Sequence, residues 1–215
     1  MPNIVAGIAC SAGLKTDIQS STVGGYRFFQ HSSNANTLAL IASQSWDYVV
    51  LQNQSQVPGW KPADVTTYSL PYAQTLVQKI KESSPNGQII YYQTWGRETG
   101  DANNCSYYPK VCTFSGHTDA LIEGYQLYQT QTGGSIAEVG KIWRIVANDS
   151  QRPFAASDLW TGDGSHPDIL GSYLVAITMF TKIFQRSPNS LFYPSSVSQA
   201  NARYIQEKVA ADFGF

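Results

Sequence analysis

The sequence predicts an α/β fold, a mostly parallel sheet covered by helices on both faces, and three observations carry that expectation. Short β-branched, apolar runs alternate with longer runs of helical period, as in "WDYVVLQ" (46–52), "YSLPYAQTLVQKIKESS" (68–84) and "GQIIYYQTW" (87–95). Strands separated by helical runs need crossover connections, which make neighbouring strands parallel. The strand segments are also nearly continuously apolar, the pattern of strands buried on both faces. Finally, the chain has 215 residues, 42% of them hydrophobic and 13% charged, enough for one domain over 1–215 with a substantial core.

The elements follow in order. "MPNIVAGIACSAG" reads as a helix, with Pro2 and Asn3 suited to its opening, Ile4, Val5 and Ile8 as a stripe, and Gly13 as its stop. It carries no positive charge ahead of its short apolar part, so it is not a signal peptide. "DIQSSTV" (17–23) alternates weakly and is expected as a strand ended by Gly24 and Gly25. "ANTLALIASQ" (35–44) is helical, 46–52 is a strand, and 68–84 is one helix with Pro71 near its start, where proline is tolerated. A second buried strand lies over 87–95, a helix over 117–132, a short strand over 135–140 and a helical piece over 141–149. Two further helices are expected over 169–185 and 198–213. Gly96 to Gly116 is too long for a mere connection and is expected to wall or cover a site.

Composition excludes several classes of partner. The formal net charge is −1 and no basic cluster occurs, which argues against nucleic acid. No uninterrupted apolar run approaches the roughly 18 residues of a membrane-spanning helix. No His/Asp/Glu cluster suggests a metal and no phosphate-cradling glycine loop opens a helix, so neither a metal nor a nucleotide cofactor is expected. Of the three cysteines, Cys105 and Cys112 are separated by six residues and are expected to close a small disulfide loop. That places the protein outside the cytosol, in the periplasm or beyond it. Cys10 is then the odd one, expected to pack as a small apolar residue.

In a parallel sheet, ligands bind beyond the carboxyl ends of the strands, so chemistry is sought in the segments that follow them. "DGSHP" (163–167) puts Asp163 and His166 three residues apart on a turn that Gly164 permits, just before a helix. An aspartate that accepts a hydrogen bond from one imidazole nitrogen fixes the tautomer and leaves the other nitrogen as a base. "GGY" (24–26) suits a backbone N–H aimed at an anion, and "LQNQSQ" (51–56) sets side-chain amides at a strand end. Arg97 is the best-placed cation for a polar substrate, whereas His31 is expected to bond within its loop and His117 to start a helix.

With these segments in order, the chain resembles the SGNH (GDSL-type) hydrolases, in a bacterial branch whose third block is similar to "DYVVLQNQSQ". The similarity runs from Pro2 to about Phe184 through "STVGGYRFFQH", "WDYVVLQNQSQ", "YYQTWGRETGD" and "DGSHPDILGSYLVAITMF". The resemblance implies a three-layer α/β/α, flavodoxin-like fold and hydrolysis of a small-molecule or saccharide ester without a cofactor. It implies His166 as the base, Asp163 as its partner and Gly25 as an oxyanion N–H. The amide donor is Asn53 or Gln54, with Gln52 and Gln56 as alternatives. The family's nucleophile lies in a G-[DN]-S turn after a first strand, and neither precedes the opening helix of this chain. Ser11 lies inside that helix, where a hydroxyl bonds a backbone carbonyl, and Ser165 is too close in sequence to His166 for an ordinary turn to pair them. The chain is therefore expected to be inactive, either as a shortened esterase or as a non-catalytic module for glycans or polar ligands. Nothing in the sequence speaks to its oligomeric state.

Overall fold

In a computed structural model that describes residues 1–215, the apolar runs at 46–52, 87–95 and 135–140 pair into one sheet. The chain order begins with helices α1 (Pro2–Ser11), α2 (Phe28–His31) and α3 (Ala35–Ala42), then strand β1 (Tyr48–Leu51). Helices α4 (Pro62–Tyr68) and α5 (Leu70–Ser83) lead to β2 (Gln88–Tyr92), and α6 (Ala102–Cys105) and α7 (Phe114–Thr132) to β3 (Ser135–Ala137). The chain ends with α8 (Val139–Asn148), α9 (Ile169–Phe184) and α10 (Gln199–Phe213). It packs as two compact units, one of residues 20–138 and one of residues 1–19 with 139–215.

The 20–138 unit holds the sheet, in the order β1-β2-β3, with both pairs parallel. Val49 lies opposite Ile89 and Ile90 opposite Ser135. The connections run through α4 and α5 and then through α7, the helical crossovers that parallel neighbours require. Strand β2 is buried on both faces as expected, with Ile89 to Tyr92 each at most 7% exposed. Strand β1 departs from that expectation: it is the sheet edge, and Tyr48 and Val50 are 36% and 41% exposed. The expected strand at 17–23 does not form. Residues 17–25 are irregular and largely exposed, because an extended segment without a ladder leaves its N–H and C=O groups to water. The core joins Phe28, Leu51, Ile89 and Tyr91 to α5 and α7 through Leu76, Ile80, Tyr125 and Tyr128.

The expected helix over 68–84 forms as α5, and a separate short helix, α4, precedes it. Pro71 has no N–H to give Thr67, so the helical ladder is interrupted there, and Ser69 sits at the break with φ −130°. That break turns the buried Ser69 hydroxyl toward the end of β1, where it matters below.

In the other unit, α9 is the centre, packed by α1, α8 and α10. It is buried from Leu170 to Thr181 almost without interruption, as a helix surrounded on all sides must be. Helix α8 presents Val139, Ile142, Trp143 and Val146, a helical-period stripe, and α10 presents Ala202, Ile205 and Val209. In α1 the buried face is Val5, Ile8 and Ala9, which puts Cys10 on the opposite side. It is exposed, not packed as a small apolar residue.

Candidate functional site

The turn before α9 is built by local hydrogen bonds. Leu159 accepts from the Asp168 N–H at 3.0 Å and His166 accepts from the Thr161 N–H at 2.8 Å, closing a loop around an antiparallel bridge between Trp160 and Pro167. Gly164 takes φ +64°, the left-handed conformation that glycine adopts without strain. Gly171, in the first turn of α9, lets the helix press on that loop: a Cβ there would meet the Leu159 carbonyl oxygen at 2.2 Å.

Within this loop the structure brings Asp163 and His166 together. Asp163 Oδ1 accepts from the N–H groups of Ser165 and His166 and from the Thr161 hydroxyl, at 2.8 to 2.9 Å. Its Oδ2 lies 2.5 Å from His166 Nδ1. A carboxylate only accepts, so Nδ1 carries the hydrogen and the neutral ring presents Nε2 as a bare acceptor. That nitrogen makes no hydrogen bond within the protein, and the His166 side chain is 79% exposed. The His166 imidazole, then the backbone N–H groups and Thr161, hold the Asp163 carboxyl well below the usual carboxylate range. The arrangement is an oriented base open to solvent.

The observed bonds do not place Ser11 as a nucleophile for it. The Ser11 hydroxyl donates to the Ile8 carbonyl at 2.8 Å and accepts from the Phe192 N–H at 3.0 Å. Ser165 gives its backbone N–H to Asp163.

In the 20–138 unit, Gly25 is exposed at φ +74° and its N–H makes no hydrogen bond within the protein, as an anion donor requires. Asn53 is different. It is fully buried, its Oδ1 accepts from the Phe28 and Gln54 N–H groups, and its Nδ2 donates to Ser69 at 2.8 Å and Tyr128 at 2.9 Å. Both amide hydrogens are thus spent inside the fold. The Ser69 and Tyr128 hydroxyls bond each other at 2.6 Å, and burial pushes the Tyr128 phenol up to about 12. Gln54 gives one amide hydrogen to Gln56 at 3.2 Å and keeps the other, and it is only half-buried. Gln56 in turn donates to the buried Asp101 at 2.6 Å, and Gln52 reaches the Asn53 carbonyl at 3.4 Å.

The segment after β2 is tied down rather than free. Cys105 and Cys112 form the expected disulfide, and Asp101 also takes a bond from Asn104. Arg97 gives its backbone N–H to His117 Nδ1 at 3.1 Å, and its Nε is buried without a partner. His117 lies in the first turn of α7, 1% exposed, with Nε2 unpartnered against Gly59. Burial lowers its pKa to about 4. His31 bonds Thr37 at 3.0 Å and packs edge-on to Tyr26, within its own neighbourhood.

One feature of this unit is legible in the sequence only as Tyr- and Trp-bearing segments that could wall a cleft, without the residues that line it. Arg27, Phe29, Trp60, Tyr68 and Tyr72 line a hollow of about 330 Å³. The signal was the density of aromatic residues in "YRFF" (26–29) and "YSLPY" (68–72), in segments too polar to be wholly buried.

A parallel sheet joined by helical crossovers matches an SGNH-like α/β/α fold. A DUF4886 family protein from Bacteroides uniformis ATCC 8492 superposes with a TM-score of 0.82 at 17% identity, covering 98% of this chain and 88% of its own. A protein from Slackia heliotrinireducens, described as a candidate SGNH hydrolase, superposes with a TM-score of 0.65 at 23% identity, covering 83% and 88%. These likenesses concern the fold. No family model matches the chain, and no curated protein does. The disulfide is compatible with an extracellular or periplasmic protein, and no helix is long and apolar enough to cross a membrane.

Proposed function

We propose that the chain carries the acid–base machinery of a serine ester hydrolase of the SGNH type, acting on a small-molecule or saccharide ester outside the cytosol. His166 is the base and Asp163 its orienting partner. The resemblance assigns the oxyanion donors to the Gly25 N–H and a side-chain amide, here Gln54 rather than Asn53, whose two amide hydrogens are both bonded inside the fold. The observation that supports this reading is the 2.5 Å contact between Asp163 Oδ2 and His166 Nδ1, which leaves Nε2 bare. In such a reaction Nε2 takes the proton of a serine hydroxyl as it attacks the ester carbonyl, and returns it to the departing alcohol. The Asp163 carboxylate offsets the imidazolium charge between those steps, while the donors stabilise the tetrahedral oxyanion.

No G-D-S or G-N-S turn occurs in the 215 residues, and Ser11 is committed elsewhere. The chain is therefore expected to cleave a chromogenic acetyl ester no faster than its His166→Ala variant does. Turnover abolished by His166→Ala would overturn that expectation and point to Ser165 or another serine. The dyad itself is tested by nitrogen NMR of the imidazole. Neutral His166 should carry its hydrogen on Nδ1, and an Nε2–H tautomer would sink the assignment. The commitment of Ser11 favours a second reading, a non-catalytic module for glycans or other polar ligands on the same fold.

A further inference from the structure

The hollow in the 20–138 unit gathers several exposed or half-buried aromatic side chains in one concavity. Phe29 and Tyr68 are 53% and 63% exposed, among the most exposed large hydrophobic residues of the chain. Phe29 packs edge-on to Tyr72 with ring centroids 5.0 Å apart, so the wall they form is held in shape. The same hollow is lined by one cation. The Arg27 guanidinium lies 5.2 Å from the Trp60 ring centroid, within cation–π range, and no carboxylate lines the hollow to neutralise it.

Those features define a ligand. The uncompensated Arg27 calls for an anion, and its planar fork matches a carboxylate. The aromatic walls call for a flat, weakly polar face. Gln30, whose Oε1 is taken by the Arg27 N–H at 2.9 Å while its amide hydrogens make no bond, calls for hydroxyl or carbonyl oxygens at the ligand's edge. An aromatic acid meets the first two requirements and leaves the amide unpaired. A pyranose meets all three, having a C–H face and a rim of hydroxyls. At about 330 Å³ the hollow lies at the low end of ligand pockets, ~300–1,000 Å³, which suits one or two rings.

We propose that this hollow, lined by Arg27, Trp60, Phe29, Tyr68 and Tyr72, binds a uronic-acid pyranose. It goes beyond the hydrolase reading and requires no ester turnover, and it gives the binding module its ligand class. Failure of the ester assay leaves it standing, and its own failure leaves the dyad untouched.

Calorimetric titration of the whole chain with methyl glucuronide, methyl glucoside and benzoate tests it. The expected result is saturable, millimolar binding of the glucuronide, about tenfold tighter than the neutral glucoside. Arg27→Gln should remove that preference while leaving the glucoside unaffected, and Tyr68→Ala should weaken both sugars. Both side chains are exposed, and circular dichroism of each variant confirms that the fold is retained. Absence of saturable glucuronide binding, indifference to Arg27→Gln, or tighter binding of benzoate than of glucuronide would each overturn the proposal.

Discussion

The D-G-S-H turn and the Asn53 centre each gather several hydrogen bonds on one side chain, but by opposite means. Asp163 collects its partners from Thr161, Ser165 and His166, all within three residues, and the assembly sits in water. Asn53 collects Phe28, Ser69 and Tyr128 from 25, 16 and 75 residues away, and nothing of it is exposed. A local, solvated network can reorganise when one member is lost, because water replaces the missing bond. A distant, buried one leaves orphaned donors that water cannot reach. The first kind suits a reactive group that must meet a substrate. The second kind suits a residue that fixes where strand, helices and loop meet.

Substitution of Asn53 should break the comparison most forcefully. Asn53→Ala removes the acceptor of the Phe28 and Gln54 N–H groups and the amide donor to the Ser69 and Tyr128 hydroxyls, and is expected to cost about 3 kcal/mol or more in urea unfolding. Asn53→Asp should cost clearly less, since all four neighbours (two N–H groups and two hydroxyls) can donate to a carboxylate. Equal losses for the two variants would show that the amide's own hydrogens hold the centre together.

His117 extends the buried case to pH. Its folded pKa of about 4 lies below the ordinary value of 6.5, so the unfolded chain binds more protons between those values. Stability is then fully present above about pH 6.5 and falls as the pH drops toward 4. Between pH 7 and 5 the loss should be about 2 kcal/mol. His117→Gln should flatten that slope, and a slope unchanged by the substitution would contradict the assignment.

At Gly171 the exposed turn leans on a buried helix. Gly171→Ala drives a methyl group into the Leu159 carbonyl and the Trp143 ring, at an expected cost of about 1–3 kcal/mol. It should also shift the NMR signals of His166, as only a turn seated on α9 would.

The smallest global effect belongs to Asp163. Its carboxyl is depressed in the folded state, so its contribution is present above about pH 4 and lost as the pH falls through the folded value. The amide signals of Ser165 and His166 should hold their positions below pH ~4. Asp163→Asn should disorder that turn and its tautomer while leaving the global unfolding midpoint in place. A large drop in the midpoint would show that the turn is structural after all.

The elements read best in the sequence were those with strong local signals. The α1 stripe, the α7 and α9 runs and the "QIIYY" strand appear where the periodicity puts them. The 68–84 run forms as α5, whereas the seven-residue α4 ahead of it is too short to show a helical period. The 17–23 strand failed because weak alternation names a candidate strand and not its partner. Cys10 was misplaced because its preference for burial was set against a stripe of three stronger neighbours. Among the candidate residues, the Asp163–His166 pairing was legible because three residues and one glycine suffice to bring them together. Asn53 and Gln54 were adjacent candidates in one polar loop, and their different situations depend on Ser69, Tyr125 and Tyr128, far along the chain.

By itself, then, the sequence determined the alternation of strands and helices, the small disulfide loop and the aspartate–histidine turn. Each is a property of residues close enough to act on one another through a short stretch of backbone. Only the tertiary structure decided that β1 is an exposed edge, that Asn53 is locked in the core, that His117 is buried neutral, and that Arg27 lies over the Trp60 ring. Those depend on contacts between distant segments, where burial sets the dielectric and removes water. The same side chain becomes a donor, a strut or a binding group according to what packs around it.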